Sequence, residues 1–110
     1  MKFEVRIGVE AERDLESIYD FIVDNDGIDR AGRALDALMR AAESLATSPQ
    51  RGSRPRELEG TGYSQYRQLV QGPWRIVYRV DGKRVLVTLV ADGRRDLRTV
   101  LAVRLLDARV

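Results

Sequence analysis

The sequence predicts an α+β fold, in which an N-terminal strand and an antiparallel helical hairpin pack with an antiparallel sheet of about four strands and a short C-terminal helix. Three observations predict it. Apolar residues alternate along Lys2–Ile7, which is typical of a half-buried strand. They then recur every three or four residues between Ala11 and Leu45, as on amphipathic helices. Alternation returns in the second half of the chain, where turn residues divide it into short strands.

The helical half contains two segments joined by a very short connection. The first predicted helix starts at Ala11 and ends within residues 25–27, and the second covers residues 28–45. The Ser48-Pro49 pair stops the second helix, because the residue before a proline avoids the helical conformation. Since only a few residues connect the two helices, we expect them to form an antiparallel hairpin.

The strand half follows a loop, Ser48–Gly62, that contains two of the three prolines. Three strands are predicted after it, as an antiparallel meander: Tyr63–Gln71, Trp74–Val80 and Arg84–Ala91. The Asp81-Gly82 pair is a strong hairpin signal, because glycine readily adopts the positive φ that a tight turn requires. Helical spacing of the apolar residues over Leu97–Leu106 predicts the C-terminal helix.

The predicted middle strand separates apolar from basic side chains. Every second residue from Trp74 to Val80 is apolar and shares one face, whereas Arg75 and Arg79 lie on the other. One face of the sheet is therefore expected to form core, and the other to carry arginine.

Length and composition predict one domain over residues 1–110 and exclude several function classes. The chain contains no cysteine and no histidine, which excludes disulfides, the usual soft zinc or copper sites and histidine-based acid–base catalysis. We therefore expect no metal and no cofactor. The N-terminus lacks the apolar block of a signal peptide, and no stretch is apolar enough to cross a membrane, so the expected location is cytoplasmic.

The formal net charge of +2 conceals a division between the two halves of the chain. Residues 1–49 contain 6 Lys/Arg and 11 Asp/Glu, whereas residues 50–110 contain 13 Lys/Arg and 6 Asp/Glu. The basic half is built almost wholly from arginine, whose planar guanidinium binds phosphate or carboxylate in a fork. It is suited to a polyanion or an acidic protein surface, and the alternative is a solvated, charge-balanced surface.

Several short patterns occur in a specific order and spacing along the chain. They are Ala11-x-x-Asp14-Leu15-x-x-Ile18, Leu45-x-x-Ser48-Pro49-x-x-Gly52, Leu58-x-Gly60, Tyr66-Arg67-x-Leu69, Trp74-Arg75-Ile76-Val77-Tyr78 and Gly93-Arg94-Arg95-Asp96. Together with the order of the predicted elements, they resemble the RelE/ParE superfamily of toxins from type II toxin-antitoxin systems, over nearly the whole chain.

The resemblance implies one of two activities, since RelE-like members cut messenger RNA on the ribosome and ParE-like members poison DNA gyrase. A nuclease would use four arginines around a phosphate: Arg67, Arg75, Arg79 and Arg95. Two positions depart from the nuclease pattern, because Leu69 replaces a second basic residue and Leu101 replaces a tyrosine. Leucine cannot exchange a proton or orient a 2′-hydroxyl, so these departures weaken the nuclease interpretation.

The Arg94-Arg95-Asp96 segment and the leucine-rich C-terminal stretch resemble the ParE-like branch, which we favour. This interpretation describes a non-enzymatic gyrase inhibitor with no catalytic residue. Its predicted target-binding surface consists of Arg94, Arg95, Arg98, Leu101 and Leu105. The lesser alternative is a basic nucleic-acid- or protein-binding domain without toxicity.

In either toxin interpretation the resemblance implies a cognate antitoxin, with which the protein forms a hetero-oligomer. We expect an acidic stretch of its tail to bind a face formed by Arg67, Arg75 and Arg79, because the potentials are complementary. Its apolar side chains are expected to dock along the helical hairpin, at Leu15 and Ile22.

Overall fold

The computed structural model describes the backbone of residues 2–108 and the side chains of residues 2–105. In chain order the elements are strand β1 (Glu4–Ile7), helices α1 (Val9–Asp26) and α2 (Ile28–Glu43), strands β2 (Arg67–Gln71), β3 (Trp74–Asp81) and β4 (Arg84–Asp92), and helix α3 (Leu97–Ala108). Short 3-10 turns follow α2 at Ser44–Ala46 and interrupt the long loop at Arg56–Leu58. The predicted α+β fold, helical hairpin and C-terminal helix are confirmed.

The strand predicted over Tyr63–Gln71 is shorter, because it begins only at Arg67. The preceding residues form a turn in which the Tyr66 amide donates a hydrogen bond to the Tyr63 carbonyl oxygen at 3.1 Å. The turn places Tyr66 in the interior, where it is 3% exposed. Because tyrosine is common in strands, the sequence predicted a strand that begins at Tyr63. In the structure these residues instead form the turn that buries Tyr66.

The strand order in the sheet is β1-β4-β3-β2. Strands β2, β3 and β4 form the predicted antiparallel meander, but β1 lies parallel to β4, so the sheet is mixed and not wholly antiparallel. The parallel pairing of β1 and β4 follows from the helical hairpin, because α2 returns the chain to the end of the sheet where β1 begins. There the Phe3 amide donates to the Ala46 carbonyl oxygen at 2.7 Å. Strand β2 therefore runs in the same direction as β1. Strand β3 runs in the opposite direction and β4 reverses again, so β4 is parallel to β1.

Apolar side chains pack on both faces of the sheet and form two cores. The hairpin core lies between the sheet and the α1–α2 hairpin, and its buried members include Leu15, Ile18, Leu38, Ile76 and Tyr78. The α3 core lies on the opposite face and contains Leu58, Tyr66, Val77, Leu89, Ala91, Leu97 and Leu101. The face that the sequence predicted to carry arginine is therefore covered over part of its area by α3.

Strand β4 contains an extra residue relative to β3. Val77 pairs with Leu89 and Tyr78 pairs with Val87, which leaves Thr88 unmatched. A bulge of this kind bends the strand and increases its twist. Because β1 pairs with β4 only as far as Val87, no strand within residues 2–108 neighbours the outer edge of β4 from Thr88 onward.

Tyr78 fixes the long loop against the sheet. Its hydroxyl donates to the Pro49 carbonyl oxygen at 2.8 Å and accepts from the Gly52 amide at 3.0 Å. Burial raises the pKa of Tyr78, so the hydroxyl stays protonated and can donate. The loop approaches so closely that a Cβ atom on Gly52 would lie 2.5 Å from the Tyr78 hydroxyl oxygen and 2.7 Å from the Gln68 carbonyl oxygen.

The substitution Gly52→Ala is expected to lower the free energy of unfolding by about 2 kcal/mol, because the loop must shift and disturb both hydrogen bonds of Tyr78. Urea denaturation measures the change. Gly62→Ala is the matched control, since a Cβ atom there meets nothing within 4 Å. Equal unfolding midpoints for the two variants would show that the close approach at Gly52 does not hold the loop.

Candidate functional site

The three arginines that were predicted to form one basic face lie on two faces. In the register of β2 and β3, Arg67 is opposite Tyr78, whose ring belongs to the hairpin core, so Arg67 projects from that side. Arg75 and Arg79 are displaced from Tyr78 by odd numbers of residues along β3 and project from the α3 side. The predicted face is therefore wrong, because the pairing register places Arg67 beside an inward-facing residue.

Arg75 forms a partly buried ion pair with Glu57. Its Nη1 donates to Oε1 of Glu57 at 2.7 Å, and the two side chains are only 20% and 26% exposed. The other carboxylate oxygen of Glu57 accepts from the amide of Leu97, the first residue of α3, at 3.1 Å. The helix dipole favours a negative charge at this point. Glu57 thus connects the long loop, β3 and α3, and Arg75 neutralises it.

Arg67 has a comparable role on the other face. Its Nη1 donates to the carbonyl oxygen of Gly52 at 2.9 Å, and the carbonyl oxygen of Gln50 lies 3.5 Å away. These acceptors belong to the same loop that Tyr78 holds. Arg67 therefore stabilises the loop through backbone groups.

Arg79 belongs to a short row that crosses three strands. Leu86 of β4 is opposite Arg79 on one side and opposite Arg6 of β1 on the other. The row lines a groove of about 470 Å³ on the α3 side of the sheet. Arg79 forms no ion pair with any side chain among residues 2–105. It lies four residues from Arg75 along β3, which separates their Cα atoms by about 13 Å.

The Gly93–Asp96 segment makes a tight connection between β4 and α3. The Gly93 amide donates to the Pro73 carbonyl oxygen at 2.8 Å. Asp92 accepts three hydrogen bonds from Arg94, from the amide at 2.8 Å, from Nε at 3.1 Å and from Nη2 at 3.0 Å. The side-chain hydrogen bonds are the main reason that the pKa of Asp92 is lowered to about 2. The Arg94 charge is therefore compensated, although its side chain is 92% exposed.

The other predicted target-binding residues differ in accessibility. Arg98 is exposed and pairs with Asp96, with 3.5 Å between Nε and Oδ1. Arg95 is exposed and forms no ion pair with the side chains that the structure describes. Leu101, in contrast, is fully buried in the α3 core, against which Leu105 packs partly buried. Leu101 therefore stabilises α3 on the sheet and offers no surface to a partner, contrary to the predicted contact surface.

The two hairpin residues predicted to contact an antitoxin, Leu15 and Ile22, are members of the hairpin core. Leu15 also forms part of a groove of about 390 Å³ between the two helices. The other residues lining this groove are Glu16, Tyr19, Asp20 and Leu35. In this groove the apolar surface is therefore provided by Tyr19 and Leu35 together with Leu15.

Asp14 and Arg104 connect α1 with α3 across the free edge of β4. The Nη1 and Nη2 atoms of Arg104 donate to the two carboxylate oxygens of Asp14 at 3.0 and 2.9 Å. Asp14 also accepts from the Val90 amide at 3.0 Å, and Arg104 also donates to the Thr88 carbonyl oxygen at 2.7 Å. The side chains of Asp14 and Arg104, 18% and 16% exposed, satisfy backbone groups that no neighbouring strand reaches.

The sequence contains a signal for this ion pair that composition and short motifs do not reveal. Asp14 falls at helical spacing between Ala11 and Ile18, within the apolar stripe of α1. Arg104 likewise falls seven residues after Leu97, within the apolar stripe of α3. A charged residue in such a stripe requires a partner of opposite charge when it is buried. Glu57, which lies in the loop, carries no comparable signal.

Among the side chains of residues 2–105, no group of three His, Cys, Asp or Glu could hold a metal ion. None of the helices in the described part of the chain is both long and apolar enough to cross a membrane. The charged side chains Arg75 and Asp14 instead bind groups of the protein itself, Glu57 and the Val90 amide respectively.

Residues 5–97 match the family described as the ParE toxin of the type II toxin-antitoxin system, parDE. The match extends from β1 to the first residue of α3. The chain belongs to the ParE toxin family. Toxin ParE3 of Caulobacter vibrioides is 25% identical to this ParE-family chain over 88 residues, which are 80% of this chain and 84% of ParE3.

Three solved structures share the fold of this ParE-family chain. The chromosomal ParDE system of P. aeruginosa matches with a TM-score of 0.70 and 20% identity, over 83% of this chain and 96% of that one. The RelBE2 toxin-antitoxin complex of Mycobacterium tuberculosis has a TM-score of 0.63 and 23% identity, over 84% and 99% of the two chains. A mutant of E. coli RelE in the free state has a TM-score of 0.61 and 15% identity, over 94% and 97%. These structures show a shared fold, and the match of residues 5–97 to the ParE toxin family confirms the predicted resemblance.

The substitution Asp14→Ala is expected to lower the free energy of unfolding by about 3 kcal/mol, because it leaves the Arg104 charge and the Val90 amide without their partner. Glu10→Ala is the matched control. It removes an exposed ion pair with Arg13 and is expected to cost less than about 1 kcal/mol. Chemical denaturation measures both, and equal losses would contradict a structural role for the Asp14–Arg104 pair.

Proposed function

We propose that this ParE-family protein arrests bacterial growth by poisoning DNA gyrase, as an inhibitor that binds its target without catalysing a reaction. The observation that carries the proposal is the match of residues 5–97 to the ParE toxin family. The similarity to toxin ParE3 supports the same branch. Arg94, Arg95 and Arg98 are exposed at the junction of β4 and α3, and we assign them to target contact.

The alternative activity, a ribosome-dependent mRNA endoribonuclease, requires cationic groups that converge on one phosphate and a group that exchanges a proton. Arg67 and Arg75 do not converge, because they lie on opposite faces of the sheet, where Arg67 binds the Gly52 carbonyl oxygen and Arg75 pairs with Glu57. Leu69 and Leu101, at the two positions where a nuclease would place polar groups, are buried. These placements favour binding over catalysis. The fold shared with RelE makes the nuclease the alternative that the experiment must test.

The purified protein is expected to inhibit supercoiling of relaxed plasmid by gyrase or to accumulate cleaved plasmid. The double variant Arg94→Ala/Arg95→Ala should need at least about tenfold more protein for the same inhibition, because it removes two charged contacts at the centre of the assigned surface. The matched control is Arg30→Ala/Arg33→Ala, which removes the same charge from the exposed face of α2. It is expected to inhibit like the parent protein.

Unchanged supercoiling at saturating protein would contradict gyrase poisoning. Discrete cuts in translated messages, mapped by primer extension after induction, would establish the nuclease instead. If induction neither arrests growth nor produces cuts, the protein is a basic binding domain without toxicity.

We also assign a cognate antitoxin as a partner, with which the protein forms a hetero-oligomer. Two of the structures that share this fold are of toxin-antitoxin systems. On this chain the groove at Tyr19 and Leu35 is shaped for apolar side chains of a docked segment. The row of Arg6, Leu86 and Arg79 fits an acidic residue at Arg79 beside an apolar one at Leu86, because Arg79 has no ion-pair partner among the side chains of residues 2–105, whereas Arg6 pairs with Glu4 at 3.2 Å. Arg67 and Arg75 contribute indirectly, by holding the loop and α3.

The substitution Arg79→Glu is expected to weaken antitoxin binding at least about tenfold, because it reverses the charge opposite the acidic stretch. Isothermal titration calorimetry with the purified antitoxin measures the dissociation constant. Arg33→Glu makes the same charge change on α2, away from the row, and is expected to leave the dissociation constant within about threefold. Equal effects of the two variants would show that Arg79 does not contact the antitoxin.

A further inference from the structure

A groove of about 490 Å³ lies between α1 and the C-terminal end of β4. Its floor is apolar and consists of Ile18, Val90 and Ala91, which are themselves buried. Two aromatic residues, Phe21 and Trp74, line the same groove. A concave apolar site with a few polar groups at its margin is the usual form of a binding pocket.

Phe21 is unusual among the aromatic residues because it is 61% exposed, although its neighbour Ile22 is buried in the hairpin core. A phenylalanine in this position leaves apolar area in contact with water, which is unfavourable until a partner covers it. Trp74, at the start of β3, is only partly buried. Exposed or partly buried aromatic residues beside an apolar floor are typical of the residues that dominate protein–protein binding.

Of the charged side chains that line the groove, all but one form an ion pair with another described side chain. Asp14 is paired with Arg104, and Asp92 is paired with Arg94. Arg95 also lines the groove, and its guanidinium forms no ion pair with the side chains described for residues 2–105. The groove therefore combines an apolar floor and two aromatic rings with one uncompensated positive charge.

This charge distribution favours a protein segment over a nucleic acid. A nucleic-acid strand is held by several cationic side chains along its phosphates. Of the acidic residues of α1, the one that lines the groove is Asp14, which is paired with Arg104, so Arg95 is the one lining cation without an ion pair among the side chains of residues 2–105. A single cation cannot hold successive phosphates, whereas it attracts one carboxylate.

We propose that this groove binds a segment of the inhibited target protein, which places an apolar side chain against Phe21 and Trp74 and a carboxylate against Arg95. The inference rests on the proposed function, because it concerns the target of the same inhibitory activity. It adds Phe21 and Trp74 to the target surface, and these residues lie on α1 and β3, outside the Gly93–Asp96 segment.

The test compares Phe21→Ala with Ile28→Ala in the gyrase supercoiling assay. Ile28 is a matched control because it is also apolar and exposed, at 66%, and begins α2 outside the groove. Phe21→Ala is expected to raise the protein concentration for half-inhibition at least about tenfold, as for truncation of an aromatic anchor, while Ile28→Ala leaves it unchanged. Thermal unfolding and antitoxin binding of both variants are expected to match the parent protein.

Four results would overturn the inference, and they can be distinguished. Equal inhibition by the two variants, with an active parent protein, would overturn the groove assignment and leave gyrase poisoning intact. An inactive parent protein would overturn both. Loss of antitoxin binding in Phe21→Ala alone would assign the groove to the antitoxin. A decrease of about 10³-fold in potency between about 50 and 200 mM salt would indicate phosphate contacts, whereas we expect less than about tenfold.

Discussion

The ion pair between Asp14 and Arg104 is the interaction on which the arrangement of the layers depends. Each residue interrupts the apolar stripe of its helix, so neither could be buried without the other. Their bonds to the Val90 amide and the Thr88 carbonyl oxygen attach α1 and α3 to the same stretch of β4. They also occupy backbone groups at a free strand edge, where another chain could otherwise add a strand.

The position of α3 determines which arginines are available to partners. Helix α3 covers one end of the sheet face, and Glu57 connects α3 to Arg75. Arg75 therefore stabilises the fold and is not available to a partner. Arg95 and Arg79, which form no ion pair with the side chains of residues 2–105, lie far from each other. Trp74 pairs with Asp92 at one end of the β3–β4 hairpin, near Arg95, and Arg79 is five residues further along β3, about 16 Å away. This separation is consistent with one surface for the target and another for the antitoxin.

Local patterns in the sequence predicted the helices and strands. The features that it did not predict depend on contacts between residues that are distant in the chain. Apolar periodicity identified both helices of the hairpin, and Asp81-Gly82 identified the β3–β4 turn. The parallel pairing of β1, the face on which Arg67 lies and the burial of Leu101 depend on register and on the return path of α2, which no local pattern specifies. For the candidate site, the sequence pointed to the arginines of the Gly93–Asp96 segment, which are exposed, but the contribution that we propose for Phe21 follows only from the groove that it lines.

Native-state hydrogen exchange at the Val90 amide tests the central role of the Asp14–Arg104 pair most directly. No strand in the described part of the chain pairs with this edge, and the Val90 amide donates its hydrogen bond to the Asp14 carboxylate. We expect it to exchange as slowly as the amides of the central strands, and to exchange much faster in Arg104→Met, where the carboxylate loses its partner. Rapid exchange of Val90 in the unaltered protein, at the rate of an open loop amide, would contradict the proposed role of the ion pair.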